Sequence, residues 1–337
     1  MAEARQPVVA VAGEVITDLV PAGPEGLLRA APGGSPANVA VGLARLGVPT
    51  RLLARLSGDA LGLRLRRHLE ANGVSLDHVV AATEPSSLAI VSVGEDGLVD
   101  YDFRVDGTAD WQWSDDELAG SLDRNALDGD VEALHVGSLA MVIEPGASAL
   151  HRLVEGARGA VTVTFDPNVR PLLMGSRDDV LPRVESLVAL ADVVKASAED
   201  VAWLYPGLQA AAAAERWLDL GPSLVAVTLG PDGVVAAGRG AGAVRRPAVP
   251  VAVVDTVGAG DAFMSALIAG LARRRLLGAS HRSRLAALAT DELSEVLADA
   301  ALAAALTCAR AGADPPTADE LTQAGTAGTS GTAGTLR

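Results

Sequence analysis

The segment Asp255-Thr-Val-Gly-Ala-Gly-Asp261 sets two carboxylates at either end of a run of small, mostly neutral residues. The apolar run Val249–Val254 before it reads as a strand. Ala262, Phe263, Ala266, Leu267, Gly270 and Leu271 after it have helical spacing. A small-residue turn opening into a helix is an anion site. The N–H groups of Gly258, Ala259 and Gly260 are expected to point outward, and the helix dipole adds partial positive charge. Small residues let a phosphate approach the backbone closely. Asp261 then stands within reach of the anion, where a carboxylate can take a proton from an attacking hydroxyl. On spacing alone, the same acid could merely complement the helix dipole, worth at most about 1 kcal/mol.

Other segments must position this one. Val8–Ala12, Val131–Val136, Val161–Phe165, Val193–Val194 with its neighbours and Leu224–Leu229 are short apolar runs. Longer stretches with helical spacing separate them, which predicts an α/β fold with a mostly parallel sheet covered on both faces. Ser35-Pro36 reads as an N-cap with proline at the first helical position. Val39, Leu43 and Leu46 then share a face and Gly47 stops the helix. A second helix is expected from about Asp59 to Asn72, with Gly73 as its stop. Leu88–Val93, a turn at Gly94–Gly97 and Leu98–Phe103 read as a hairpin. With Leu19–Ala31 it forms a small β-sheet lid, drawn from about 14–32 and 86–113. The main body covers 1–322, and the Ala-Gly-Thr tail 323–337 is expected to be disordered.

Composition removes several classes. The net charge is −15, which excludes a basic nucleic-acid footprint. The 337 residues are 49% hydrophobic, enough for a large core, but no run reaches membrane-spanning length. The first seven residues carry no apolar signal core, so a cytoplasmic enzyme is the expectation. Cys308 is the only cysteine, so neither a disulfide framework nor a cysteine zinc site is expected. The only lysine, Lys195, follows a valine, which rules out a P-loop. Gly13-Glu14-Val15 is a poor dinucleotide fingerprint, and the five histidines lack ligand spacing.

The Asp255–Asp261 segment resembles the C-terminal signature of the ribokinase-like (PfkB-type) carbohydrate kinases. Gly33-Gly34-Ser-Pro-Ala-Asn38-Val-Ala-Val-Gly-Leu-Ala-Arg-Leu-Gly47, continued by Gly58-Asp59-Ala-Leu-Gly62, resembles the N-terminal one. The similarity extends over roughly residues 8–317. It implies a three-layer α/β/α sandwich with a small lid, and an ATP-dependent kinase acting on a small sugar.

The resemblance also implies roles. Asp261 would be the base and Gly258, Ala259 and Gly260 the anion hole. Asp255 and the carbonyl of Val257 fall where many members hold a monovalent cation, usually K⁺. Asp18, in Gly13-Glu14-Val-Ile-Thr-Asp18, would hold sugar hydroxyls. Gly33 and Gly34 would let the sugar lie against backbone, and Asn38 would offer its amide or else lie on a helix surface. Thr164-Phe-Asp166-Pro-Asn168-Val-Arg170 is similar to a segment of fructokinases and 2-keto-3-deoxygluconate kinases, which puts Asn168 and Arg170 near the substrate. Arg104 in the lid is a further candidate, or a solvated charge. Lys195-Ala-Ser197-Ala-Glu199-Asp200 resembles fructokinases, with Lys195 on the nucleotide side and Glu199 reaching Mg²⁺ through water. Thr228-Leu-Gly230-Pro-Asp-Gly233 resembles the nucleotide-binding turn. The helix near Ala300–Cys308 with Gly312-Ala313 would border adenine, with Cys308 a small filler.

Fructokinase is the leading branch. 2-Keto-3-deoxygluconate kinase, ribokinase and nucleoside kinase stay open, as does a non-catalytic sugar-binding regulator. The lid strands could pair between subunits, so a homodimer is expected.

Overall fold

Continuous apolar runs such as Val8–Ala12 have no polar face to show to water, so they are stable only where both faces are covered. The computed structural model describes residues 6–23, 27–93, 99–114, 116–118 and 131–331. Its strands are β1 (Val8–Ala12), β2 (Ile16–Pro21), β3 (Leu28–Gly33), β4 (Thr50–Leu53), β5 (Arg55–Ser57), β6 (Val80–Ala82) and β7 (Leu88–Val93). They continue as β8 (Val99–Arg104), β9 (Val131–Gly137), β10 (Thr162–Asp166), β11 (Val193–Ser197), β12 (Leu224–Thr228), β13 (Val234–Gly238) and β14 (Gly242–Arg246).

The principal helices are α1 (Ser35–Arg45), α2 (Ala60–Ala71), α3 (Gly146–Ala157), α4 (Arg177–Leu190), α5 (Ala198–Leu204) and α6 (Ala210–Leu220). They are followed by α7 (Ala259–Arg273), α8 (Thr290–Cys308) and α9 (Ala318–Gly331).

The main sheet has the order β14-β13-β12-β11-β10-β9-β1-β4. β1, β4 and β9 to β12 run parallel, and β13 and β14 extend the sheet antiparallel. Alternation splits the core in two. Val9 and Val11 pack toward α1, α7 and α8, whereas Ala10 and Ala12 pack toward α3, α4 and α6. The three-layer sandwich expected from the sequence is the fold.

The lid is a separate sheet in the order β3-β2-β7-β8, with β2 parallel to β7 and both outer pairs antiparallel. The hairpin turn expected at Gly94–Gly97 lies outside the described residues. No helix among the described residues is long and apolar enough to cross a membrane.

Three expectations differ from the structure. Val249–Val254 is extended but joins no sheet, since Pro247 and Pro250 remove donors from a would-be ladder. It runs over the open ends of the strands, with Val253 and Val254 exposed, and the Val254 N–H donates to the Cys308 carbonyl. Ser35 is not an N-cap: Gly34 holds that position at φ 98°, and Ser35 is the first helical residue. The segment 323–331, expected to lack secondary structure, is placed in α9, and 332–337 lie outside the described residues.

Candidate active site

The carboxyl ends of the parallel strands and the inner face of the lid enclose a cleft of about 1230 Å³. Strand alternation decides which lid residues face it. Ile16, Asp18 and Val20 of β2 line the cleft, as do Ala89 and Val91 of β7 and Phe103 of β8. Arg104 therefore points the other way. It is largely exposed and pairs with Asp102 on the outer face, which removes it from the predicted site. Phe103 takes its place, a position that strict alternation from Leu88 and Ala89 could have given.

Asp261 is at the third position of α7 and is nearly buried. Gly258 caps this helix in the left-handed conformation, φ 76°, and a Cβ there would also meet Ala313. The turn opens into the helix as expected, with one difference. The Ala259 N–H is not free but donates to the Thr256 carbonyl at 3.3 Å, which leaves the remaining first-turn amides for an anion. Both oxygens of Asp261 are engaged. Ser35 Oγ donates to Oδ1 at 2.6 Å, and Asn38 Nδ2 donates to Oδ2 at 2.8 Å. Asn38 thus lines the cleft with its second N–H and its carbonyl oxygen in hand.

Lys195 lies below the turn. Its Nζ donates to Asp166 Oδ2 at 2.9 Å, and both side chains are buried. A Cβ on Gly260 would stand 2.8 Å from that Nζ, so the glycine leaves room for the ammonium under the anion turn. Burial works against this charge, but the carboxylates of Asp166, Asp200 and Asp261 outweigh it and hold the lysine above its ordinary pKa. Asp200 closes a capping box with Ser197 and accepts from the Val169 N–H at 2.7 Å. That bond ties the start of α5 to the loop carrying Asn168 and Arg170, which both line the cleft.

The sugar-side expectations cluster on the opposite wall. Asp18 faces the cleft, and burial pushes its carboxyl up to about 6, with Arg170 opposing and Asp261 adding to the rise. Gly33 does not line the cleft. It backs Asp18, whose carboxylate oxygen lies 2.3 Å from where a Cβ would be. Gly34 lines the cleft and packs on the Glu14 carbonyl.

Of the residues expected to serve the nucleotide, Thr228, Gly230 and Gly233 line the cleft at the end of β12, and Glu199 stands exposed at the start of α5. Asp255 accepts from the N–H groups of Val257 and Gly312, at 3.0 and 2.8 Å. Among the described residues no group of three or more His, Cys, Asp or Glu could hold a metal ion.

Sequence reasoning missed two buried acids at the lid's root. Glu14 is 1% exposed and accepts from the Ala140 N–H at 3.1 Å. Asp110 is 2% exposed and accepts from the Val15 N–H at 2.7 Å and Ser87 Oγ at 2.5 Å, bracing β2 against β7. A lone acid in an apolar stretch, as in Val8–Val15, was the available signal. Burial raises Glu14 to about 7 and Asp110 to about 6.

These shifts set a pH dependence of stability. A carboxyl raised in the folded state binds protons that the unfolded chain does not, so its contribution is full below about pH 4 and is lost as pH rises through 6 to 7. For Glu14 alone the span is on the order of 3 kcal/mol. Buried His135, lowered to about 3, works in the opposite direction below its ordinary value. Glu14, Asp18 and Asp110 outnumber it. The thermal unfolding midpoint is expected to fall between pH 5 and pH 8, and a midpoint that is flat or rising there contradicts this account.

The chain is similar in sequence to fructokinases. It is 35% identical to one from Klebsiella pneumoniae over 288 residues, 83% of this chain and 88% of the relative. It is 32% identical to one from Rhizobium leguminosarum bv. trifolii, over 79% and 80%. Among solved structures, a fructokinase with bound ATP from Xylella fastidiosa superposes with a TM-score of 0.86 at 27% identity, covering 96% of this chain and 99% of that one. A Vibrio cholerae O395 fructokinase with fructose, ADP and calcium gives 0.75 at 26%, covering 94% and 96%. The model of the pfkB family carbohydrate kinases matches residues 8–320, from β1 through the anion turn into α9. With that match spanning both the lid and the Asp261 turn, the chain belongs to the pfkB family of carbohydrate kinases, phosphotransferases that take an alcohol group as acceptor.

Proposed function

We propose that this kinase transfers the γ-phosphoryl group of MgATP to a primary hydroxyl of fructose. The observation that carries the reading is Asp261, which faces the cleft at the first turn of α7 beside an anion cradle with a lysine beneath it. The sugar lies under the lid, with hydroxyls on Asp18 and Asn38 and with Asn168 and Arg170 at its reacting end. The nucleotide lies along Thr228, Gly230 and Gly233, and its adenine borders the end of α8 and the Gly312-Ala313 loop.

Asp261 takes the proton as the hydroxyl oxygen attacks the γ-phosphorus in line and the bond to the β,γ-bridging oxygen breaks. The Gly258 and Gly260 amides and the Lys195 charge face the transferring group. Closure of the lid keeps water from accepting the phosphoryl group.

Mg²⁺ shields the nucleotide phosphates when bound. Glu199, a single exposed carboxylate at the cleft, suits an ion held mostly by phosphates and water. Asp255 keeps a free lone pair on each oxygen and, with the Val257 carbonyl, would hold K⁺.

A coupled ADP-release screen over fructose, ribose, 2-keto-3-deoxygluconate and adenosine, with and without K⁺, tests the substrate. Fructose is expected to give the highest kcat/KM. A higher value for another acceptor overturns fructose, and sugar binding without ADP release overturns catalysis. The outermost lid strands, β3 and β8, support a homodimer, checked by light scattering. Dependence on ATP and the lone Cys308 fit a cytoplasmic location.

Gly33→Ala is a local test of the sugar wall. The added methyl meets the Asp18 carboxylate and must displace it. The sugar KM is expected to rise about tenfold or more with the ATP KM unchanged. If only the ATP KM changes, Asp18 does not serve the sugar.

A further inference from the structure

The base proposed above is held by a residue 226 positions away in the chain. Ser35, Asn38 and Gly42 share one face of α1, at spacings of three and four. Asp261 and Ser265 share one face of α7 at a spacing of four. The two faces meet: a Cβ on Gly42 would stand 2.4 Å from Ser265 Oγ, so the helices pack almost backbone to side chain at this point. That close crossing fixes α1 against α7 one to two turns from the carboxylate.

Ser35 is buried, and its hydroxyl reaches Asp261 Oδ1 at 2.6 Å. The Ser35 hydroxyl is not spent on capping α1, because Gly34 takes the cap position without a side-chain bond. We infer that Ser35 is a positioning residue for phosphoryl transfer. Its hydroxyl orients the Asp261 carboxylate and leaves the second oxygen, shared with Asn38, to receive the sugar's proton.

This inference rests on Asp261 being the base. A hydroxyl donating to a carboxylate favours its charged form, and removing the donor makes the carboxylate both more basic and freer to rotate. Asp18, Asp166 and Lys195 are the charged groups that act on Asp261, with Arg170 beside Asp18, and they stay in place in a Ser35 variant.

The experiment is the pH profile of kcat for Ser35→Ala, Ser35→Thr and Asp261→Asn, with unfolding midpoints alongside. For Ser35→Ala the acid limb of the profile is expected to move up by about one pH unit. Its kcat at neutral pH should fall about tenfold with the ATP KM unchanged. Ser35→Thr keeps the hydroxyl and should keep the wild-type acid limb, so it decides the matter should the alanine variant fold poorly. A wild-type profile and kcat in Ser35→Ala, or an acid limb in Ser35→Thr shifted as far as alanine shifts it, overturns the assignment to Ser35 alone. Near-normal turnover in Asp261→Asn overturns the base, and Ser35 with it.

Discussion

Asp261→Asn lowers kcat by about 10²–10⁴ and leaves sugar affinity nearly unchanged. The amide fills the same space at the head of α7, so the loss is chemical and not steric. A neutral amide cannot take the hydroxyl proton. The amide oxygen still accepts from Asn38, and the new NH₂ donates to Ser35 Oγ, which as a hydroxyl can accept as well as donate, so the contacts at 2.6 and 2.8 Å are both kept.

The same substitution has a second, independent signature. Asp18 is raised to about 6 mainly by burial, with Arg170 opposing and the Asp261 charge adding to the rise. Removing that charge should let Asp18 ionise at lower pH. Sugar binding, followed by calorimetry, then persists further into the acid range than in the parent. Turnover within about threefold of the parent would remove Asp261 from its role. Loss of turnover together with loss of sugar binding would make the residue a sugar ligand instead.

What could be read from the sequence was local. The Gly258–Gly260 turn and Asp261 are neighbours in the chain, so one strand-to-helix reading captured the cradle and the acid together. The lid was legible because its strands alternate with a period of two. The same alternation, applied one residue further, would have put Phe103 inward and Arg104 outward. Val249–Val254 misled because it is apolar without being covered: Val249, Val251 and Val253 line an open cleft, and apolar content alone does not distinguish a cleft wall from a core strand. Ser35 read as a cap because Ser-Pro at a helix start is a local pattern. Its actual partner is 226 residues distant, and only the packing of α1 on α7 brings them together. Glu14 and Asp110 left only a faint signal for a related reason, since their burial is a product of lid-root topology.

Lys195 shows the gap between identity and placement most clearly, and it carries the other large expected effect. As the only lysine, it read as a nucleotide ligand on resemblance. The structure gives it a buried position from which it faces three carboxylates and underlies Gly260. Lys195→Met keeps the length of the side chain and removes the charge. Asp166 is then a buried carboxylate without its partner, and breaking such a pair costs about 3–5 kcal/mol, less whatever Asp166 recovers by taking a proton. The unfolding midpoint should fall by many degrees, and kcat should fall by about 10²–10³ because the transferring phosphoryl group loses the cation under its cradle.

Pairing the change with Asp166→Asn separates the two effects. The double variant no longer strands a charge at position 166, and Asp200 and Asp261 keep their hydrogen bonds, so much of the midpoint should return. The cation is still missing, so kcat should stay low. Recovery of both would mean that Lys195 serves only to neutralise Asp166. Recovery of stability alone would tie the lysine to the chemistry and explain why position 260 has no side chain: any atom there would stand between the ammonium and the phosphate it faces.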